Sequence, residues 1–161
     1  MFGKQLFDTL FAYHWHTTNR LLAVAAALSN EEYFAPSDFG HGSLHDLFFH
    51  LLRTDQGWRS ALESGAQQPP LPPDDFPTLA ALRTGFDGES AAWQRYLAGL
   101  SAEETEGVAS LTTRRGDAFP VPRWRVLQHL ILHGMQHHTE IAQLLTVKGH
   151  APGDIDFIFY Q

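Results

Sequence analysis

The sequence predicts an all-α protein built as a four-helix bundle, and two observations support this prediction. Apolar residues recur at steps of three and four along four long stretches, as they do on the buried face of a helix. A proline-rich connection at residues 67–77 follows the second stretch and is long enough to cross from one end of a bundle to the other. The length of 161 residues is that of one domain, so we expect a single domain over residues 1–161.

The first two helices have recognisable ends. The first is expected from Lys4 to about Ser29, where turn-forming residues follow. The second is expected to begin after Ser43, because Ser43 and Asp46 form a pattern that resembles a capping box. Its apolar periodicity continues to about Glu63.

The third helix is expected from Thr78, a good N-cap residue, to about Gly99. Its periodicity is clear, but Gly85 and Gly88 weaken its middle because glycine is a poor helix former. The two glycines therefore argue against a continuous third helix.

The last part of the chain contains a short irregular segment, the fourth helix and a tail. Residues 107–121 predict a long loop or a small hairpin around Gly116. The fourth helix is expected after Pro122 and is closed by Gly149. Residues 154–160 are expected to be extended and to pack on the bundle.

Charge and composition exclude several classes of function. Eleven Lys and Arg against eighteen Asp and Glu give a net charge of −7, which is unsuited to nucleic-acid binding. No apolar run reaches the roughly 18 residues that a membrane span needs. The start of the chain does not resemble a signal peptide, so we expect a cytoplasmic protein without a membrane or nucleic-acid partner.

Ten histidines and no cysteine restrict any metal site to imidazole, carboxylate and water ligands. His133 and His137 lie four residues apart, inside the apolar arc of the fourth helix, which is roughly 120° wide. This spacing is that of a helix that supplies two imidazoles to one ion. The alternative is a pair of hydrogen-bonded core histidines.

A third ligand should come from another helix. His45 and His50 are candidates on the second helix, whose apolar residues surround it and do not separate the two. His14 is a candidate at the centre of the apolar stripe of the first helix. The remaining histidines have weaker claims, because they are expected to be partly exposed (His129, His138), solvated (His16) or in loops (His41, His150).

An ordered set of motifs resembles the DinB/YfiT-like family of metalloenzymes over nearly the whole chain. The set consists of Tyr-His-Trp at residues 13–15, Gly-Ser-Leu-His-Asp-Leu-Phe-Phe-His at 42–50, Trp58, His-Gly-Met-Gln-His at 133–137 and the tail at 154–157. The resemblance implies an up-down-down-up bundle. It also implies a metal site made of His50, His133 and His137, with His138 in place of the arginine that often follows the last ligand.

The resemblance implies a divalent metal ion, zinc or nickel, and a low-molecular-weight-thiol S-transferase of the bacillithiol type in stress response or detoxification. Three imidazoles leave a position open on the ion, as in catalytic rather than structural zinc sites. A metal-dependent hydrolase and a non-catalytic metal- or ligand-binding stress protein are the alternatives. We expect a small-molecule substrate, with the thiol as cosubstrate of a transferase, and the resemblance also implies a homodimer.

Five residues near the expected ligands are candidates for the pocket: His14, Trp15, Thr54, Asp55 and Trp58. Asp55 is an acid close to His50 in sequence, so it could orient a ligand or act as a base; a surface salt bridge is the alternative. Asp55 and His14 are thus the catalytic candidates. The aromatic residues Phe48, Phe49 and Trp93 are expected to build the core.

Overall fold

The computed structural model of the protein describes residues 3–38 and 42–161. These residues form six α-helices in chain order, with one two-stranded sheet before the last: α1 (Gly3–Ala25), α2 (Asn30–Phe34), α3 (Leu44–Ser64), α4 (Leu79–Gly99), α5 (Ala102–Glu106), β1 (Val108–Thr112), β2 (Ala118–Pro122) and α6 (Arg123–Val147). Two short 3-10 helices lie at Pro73–Asp75, in the proline-rich crossover, and at Phe157–Phe159, in the tail that was expected to be extended. The predicted all-α class is therefore confirmed, with the small sheet as an addition. The prediction that His41 lies in a loop falls outside the described residues.

The first helix is shorter than predicted, because the chain starts a new helix at its expected end. Helix α1 ends at Ala25, and Ser29 is the N-cap of α2. The Ser29 hydroxyl accepts a hydrogen bond from the Glu32 backbone N–H, and the Glu32 side chain accepts one from the Ser29 backbone. This capping box provides acceptors for the backbone N–H groups of Ser29 and Glu32 at the start of a new helix.

Helix α3 begins as predicted. The Ser43 hydroxyl accepts a hydrogen bond from the Asp46 N–H at 3.2 Å, and the Asp46 carboxylate accepts one from the Ser43 N–H at 2.9 Å. Because these bonds fix the first turn, they also fix the helical phase of the residues that follow, including His50.

Helix α4 is continuous through both of its glycines. The N-cap is Thr78, as predicted, with its hydroxyl bonded to the Ala81 N–H. A Cβ atom at Gly85 would lie 2.7 Å from side-chain atoms of both Leu52 and Phe76. The glycine therefore allows α3 and the proline-rich crossover to approach α4 closely, which offsets its low helix propensity.

Residues 107–121 contain the small hairpin that was one of two predicted outcomes. Strands β1 and β2 are antiparallel, with Val108 opposite Pro122, and Gly116 lies in the connecting turn. The hairpin is attached to the end of α3, because Thr112 exchanges backbone hydrogen bonds with Gly65 and Gln67. This attachment places the turn of the hairpin beside the C-terminal half of α3.

The core lies between the long helices. Helix α1 packs along α6, and α3 packs on both α4 and α6. Phe48 and Trp93 are fully buried, as predicted, whereas Phe49 is half-buried and packs against the edge of the core. The C-terminal tail lies on α1, where the Tyr13 hydroxyl donates to the Ile155 carbonyl. Across the described segments, no helix is both long enough and apolar enough to cross a bilayer.

Candidate metal centre

Three histidines from two helices converge on one point. Helix α6 supplies His133 and His137, one turn apart, and α3 supplies His50 from its second turn. The Nε2 atom of His133 lies 3.1 Å from the Nε2 atom of His50 and 3.1 Å from that of His137. These residues form a group that could hold a metal ion.

The two short contacts of His133 Nε2 exceed what its single lone pair can accept. A neutral imidazole has one N–H and one ring lone pair, so the single Nε2 atom of His133 cannot accept from both neighbours. Nitrogens bound about 2.0–2.1 Å from one tetrahedral ion lie about 3.3 Å apart, close to the separation found here. The donor set therefore fits a divalent cation that accepts all three lone pairs.

The environment keeps His133 in the form that binds metals. Burial, together with the nearby imidazoles of His137, His50, His129 and His14, lowers the pKa of His133 to about 3. An imidazole with this pKa is neutral at physiological pH. Its lone pair is then available to a cation without the loss of a proton.

Glu140 controls the second ring nitrogen of His137. Its carboxylate lies 2.7 Å from His137 Nδ1, one helical turn away on α6, and its side chain is 22% exposed. A carboxylate that accepts from Nδ1–H directs Nε2 toward the centre and increases its basicity. Sequence reasoning missed this role, although the i, i+3 spacing of the two residues is the signal that indicates it.

The structure separates the three candidates for the third ligand. His50 joins His133 and His137. His45 instead packs against the rings of Tyr33 and Phe34, with centroids 5.8 and 4.9 Å away, and burial lowers its pKa. His14 is buried beside the centre but directs its Nε2 atom to Asp55.

A second polar group, the His14 cluster, consists of His14, Thr18, Asp55 and His138. His14 Nε2 lies 3.1 Å from Asp55 Oδ2, and the two side chains are 3% and 1% exposed. Thr18 donates its hydroxyl proton to the His14 carbonyl at 2.9 Å and lies 2.8 Å from His138 Nε2. The cluster thus connects α1, α3 and α6 in the interior.

The prediction that His138 is partly exposed was wrong, because its side chain is 0% exposed. Helix α1 packs over this edge of α6 and widens the buried arc beyond the apolar stripe. Since the only hydroxyl proton of Thr18 goes to His14, His138 must donate from Nε2. Burial lowers the pKa of His138 well below the ordinary value, which agrees with this neutral form.

Asp55 does not form the surface salt bridge that was the alternative, because its carboxylate is buried against His14.

Gly134 explains how His14 fits there. A Cβ atom at Gly134 would lie 2.4 Å from His14 Nδ1, so the histidine ring occupies the space left by the missing side chain. His14 thus packs against α6 at Gly134, between His133 and His137.

The other candidates divide into interior and surface residues. Trp15 is buried with its ring 4.6 Å from that of His14. Thr54 and Trp58 line a cavity along α3.

His129 is exposed, as predicted, and its ring lies between those of Trp58 and His133, 5.7 Å from each. His16 is exposed, as predicted, and His150 is half-exposed in the segment after α6.

Comparison with known proteins identifies a family for the whole chain. The model of the family described as "DinB family" matches residues 1–161. No curated protein sequence matches the chain. The match therefore includes both helices that carry the three histidines, α3 and α6.

Proposed function

The chain belongs to the DinB family, and from this premise we propose that it is a divalent-metal-dependent enzyme whose ion is held by His50, His133 and His137. The observation that carries the proposal is the convergence of three imidazole nitrogens, with two contacts of 3.1 Å at the single Nε2 atom of His133. Zinc or nickel suits imidazole ligands of this kind. When bound, such an ion acts as a Lewis acid that lowers the pKa of a coordinated water or thiol.

The surrounding residues have supporting roles in this proposal. Glu140 holds the proton on His137 Nδ1 and orients the ring. His14 and Asp55 are nearly sealed from solvent, so a positioning role for this pair suits their burial better than contact with a substrate. His129 and Trp58 lie on the open side of the centre, where a substrate can approach.

We propose a low-molecular-weight-thiol S-transferase as the activity. The chain has no cysteine, so a thiol nucleophile must be a second substrate. The thiol loses its proton to solvent, its sulfur forms a bond to an electrophilic carbon, and the leaving group departs with its bonding electrons. A cytoplasmic location would suit this chemistry, because low-molecular-weight thiols are kept reduced there.

Metal content is the first test. Purified protein should contain one divalent ion per chain by plasma mass spectrometry, and His133→Ala and His137→Ala should lose it. His16→Ala is the matched control, because His16 is an exposed histidine on α1. Protein without stoichiometric metal, with both variants unchanged in stability and in metal content, would contradict the metal centre.

The transferase activity is tested separately with monobromobimane and a panel of thiols. The expected result is metal-dependent conjugation, with bromide as the leaving group, that is absent in His133→Ala. If loaded protein conjugates none of the thiols, the transferase proposal fails. Hydrolysis or non-catalytic binding then becomes the better account of the same metal centre.

The assembly is also a proposal. We propose that the long helices form the up-down-down-up bundle of a single domain, and that two chains associate as a homodimer in the manner of this family. Light scattering on the metal-loaded protein should give twice the mass of the chain. A monomeric mass at micromolar concentration would rule out the homodimer.

A further inference from the structure

A cavity of about 360 Å³ lies on the surface of α3, beyond the histidine centre. Helix α3 forms one wall with Arg53, Thr54 and Trp58. The chain after α3 contributes Gln67, and the hairpin turn contributes Arg114. A hydrogen bond from the Arg114 N–H to Gln67 Oε1 joins these two outer parts at 3.2 Å.

The cavity continues the open side of the histidine centre. Thr54 and Trp58 follow His50 at i+4 and i+8, so they lie above it on the same face of α3. At the helical rise, Thr54 is about 6 Å and Trp58 about 12 Å from His50 along the axis. The ring of Trp58 also contacts that of His129, which contacts His133. A molecule a few bonds long could thus extend from the cavity to the centre.

The charge of this cavity is opposite to that of the protein. The chain carries a net charge of −7, yet the residues described as lining the cavity include two arginines and no acid. Within residues 3–38 and 42–161, neither Arg53 nor Arg114 forms an ion pair. Two guanidinium groups without a carboxylate partner suit an anion, which can accept several of their N–H groups.

We propose that this cavity binds the anionic group of the substrate, a carboxylate or a phosphate, through Arg53 and Arg114. The substrate class is then a small anionic molecule whose other end, a thiol or an electrophilic carbon, reaches the histidines. This inference rests on the proposed function for the role of the centre. The anion site itself is defined by residues that hold no metal.

The experiment follows the indole N–H resonance of Trp58 by NMR in metal-loaded protein. Four probes are titrated: propionate, inorganic phosphate, 3-mercaptopropionate and 3-mercapto-1-propanol. The two thiols have the same length and differ in the carboxylate. Propionate and phosphate contain no thiol, so they test the anion site alone and distinguish a carboxylate site from a phosphate site.

Two arginine variants provide the comparison. The double variant Arg53→Met and Arg114→Met keeps much of each side-chain stem and removes both charges. Arg95→Met is the matched control, because Arg95 is exposed on α4 and does not line the cavity. Metal content and thermal unfolding establish that each variant is folded and loaded before titration.

Wild-type protein and Arg95→Met should bind propionate or phosphate at Trp58, and should bind 3-mercaptopropionate about tenfold more tightly than the neutral thiol. The double variant should lose the anion-induced shift and this preference, while its metal content stays unchanged. The proposal is overturned if both anions leave the wild-type resonance unmoved, or if the double variant responds as the control does. If the wild-type protein binds no metal ion, that result contradicts the proposed function and not the anion site.

Discussion

At the scale of single residues, the two ring nitrogens of His137 have different tasks. His137 presents Nε2 to the centre while Glu140 holds Nδ1. The adjacent His138 instead uses its Nε2–H to donate to Thr18 in the interior. Neighbouring histidines on one helix are thus divided between a metal centre and a structural hydrogen bond by the partners that face them.

Glu140→Gln should weaken metal binding by about 10–100-fold, the usual effect of removing a carboxylate that orients a ligand imidazole. The amide keeps the size of the side chain but removes the negative charge. Affinity is measured by competition with a chromogenic zinc chelator.

Glu31→Gln, an exposed acid on α2, is the control and should leave the affinity unchanged. Equal affinities for Glu140→Gln and wild type would show that the carboxylate does not support the centre.

At the scale of helices and strands, N-terminal caps set the positions of the functional residues. Ser29, Ser43 and Ser101 each form a capping box with an acid three residues later. The box at Ser43 is seven residues before His50, so it fixes the start of the helix that provides the ligand. The two short helices, by contrast, need their boxes because five residues make few internal hydrogen bonds.

Ser43→Ala should lower the free energy of unfolding by about 1 kcal/mol, because the Asp46 N–H loses its acceptor. Ser43→Gly is the comparison and should cost only a few tenths of a kcal/mol, since glycine tolerates the N-cap conformation. Urea unfolding followed by circular dichroism gives both values. An alanine variant as stable as the wild type would show that the cap does not stabilise α3.

The carboxylate half of this box adds a dependence on pH. Burial acts to raise the pKa of Asp46, but the hydrogen bonds from Ser43 outweigh it and lower the pKa below the ordinary value of 3.8. The stabilisation is therefore fully present above about pH 4 and is lost as the pH falls through the lowered pKa. The difference in the free energy of unfolding between wild type and Asp46→Asn should therefore become smaller as the pH falls below about 4.

At the scale of the whole molecule, α3 is the helix through which the other parts are connected. It packs on α4 and α6, carries His50 and ends where the hairpin is attached. An ion pair crosses from α3 to α4, where Arg59 donates to both oxygens of Glu89 at 2.6 and 2.7 Å. Burial nevertheless raises the pKa of Glu89 above its ordinary value, so the pair does not fully offset the desolvation of the carboxylate.

Arg59→Met should therefore reduce the free energy of unfolding by about 3 kcal/mol, because it leaves a buried carboxylate without its partner. The double variant Arg59→Met with Glu89→Met should recover most of this loss. Glu63→Gln, which removes the exposed partner of Arg59, should cost less than about 0.5 kcal/mol. A double variant no more stable than the single one would contradict this account.

Local sequence patterns predicted the long helices, apart from the end of the first, and the shared face of His133 and His137, because capping and periodicity act within a few residues. They could not choose between His45 and His50, since apolar residues surround α3 and only packing against α6 selects a face. They also misplaced His138, and they left Asp55 open between a role beside the ligands and a surface salt bridge. An acid or a second histidine becomes tolerable in the interior only when a partner such as His14 or Thr18, distant in sequence, meets it there.

The three converging nitrogens belong to helices that are far apart in the chain, with His50 on α3 and His133 on α6. An unfolded chain does not hold these rings together, so an ion bound by the proposed centre would shift the folding equilibrium by mass action. At a free-ion concentration one hundred times the dissociation constant, the native state gains about 2.7 kcal/mol. The melting temperature is then a property of the solution as well as of the protein, and the population of folded molecules follows the supply of the ion.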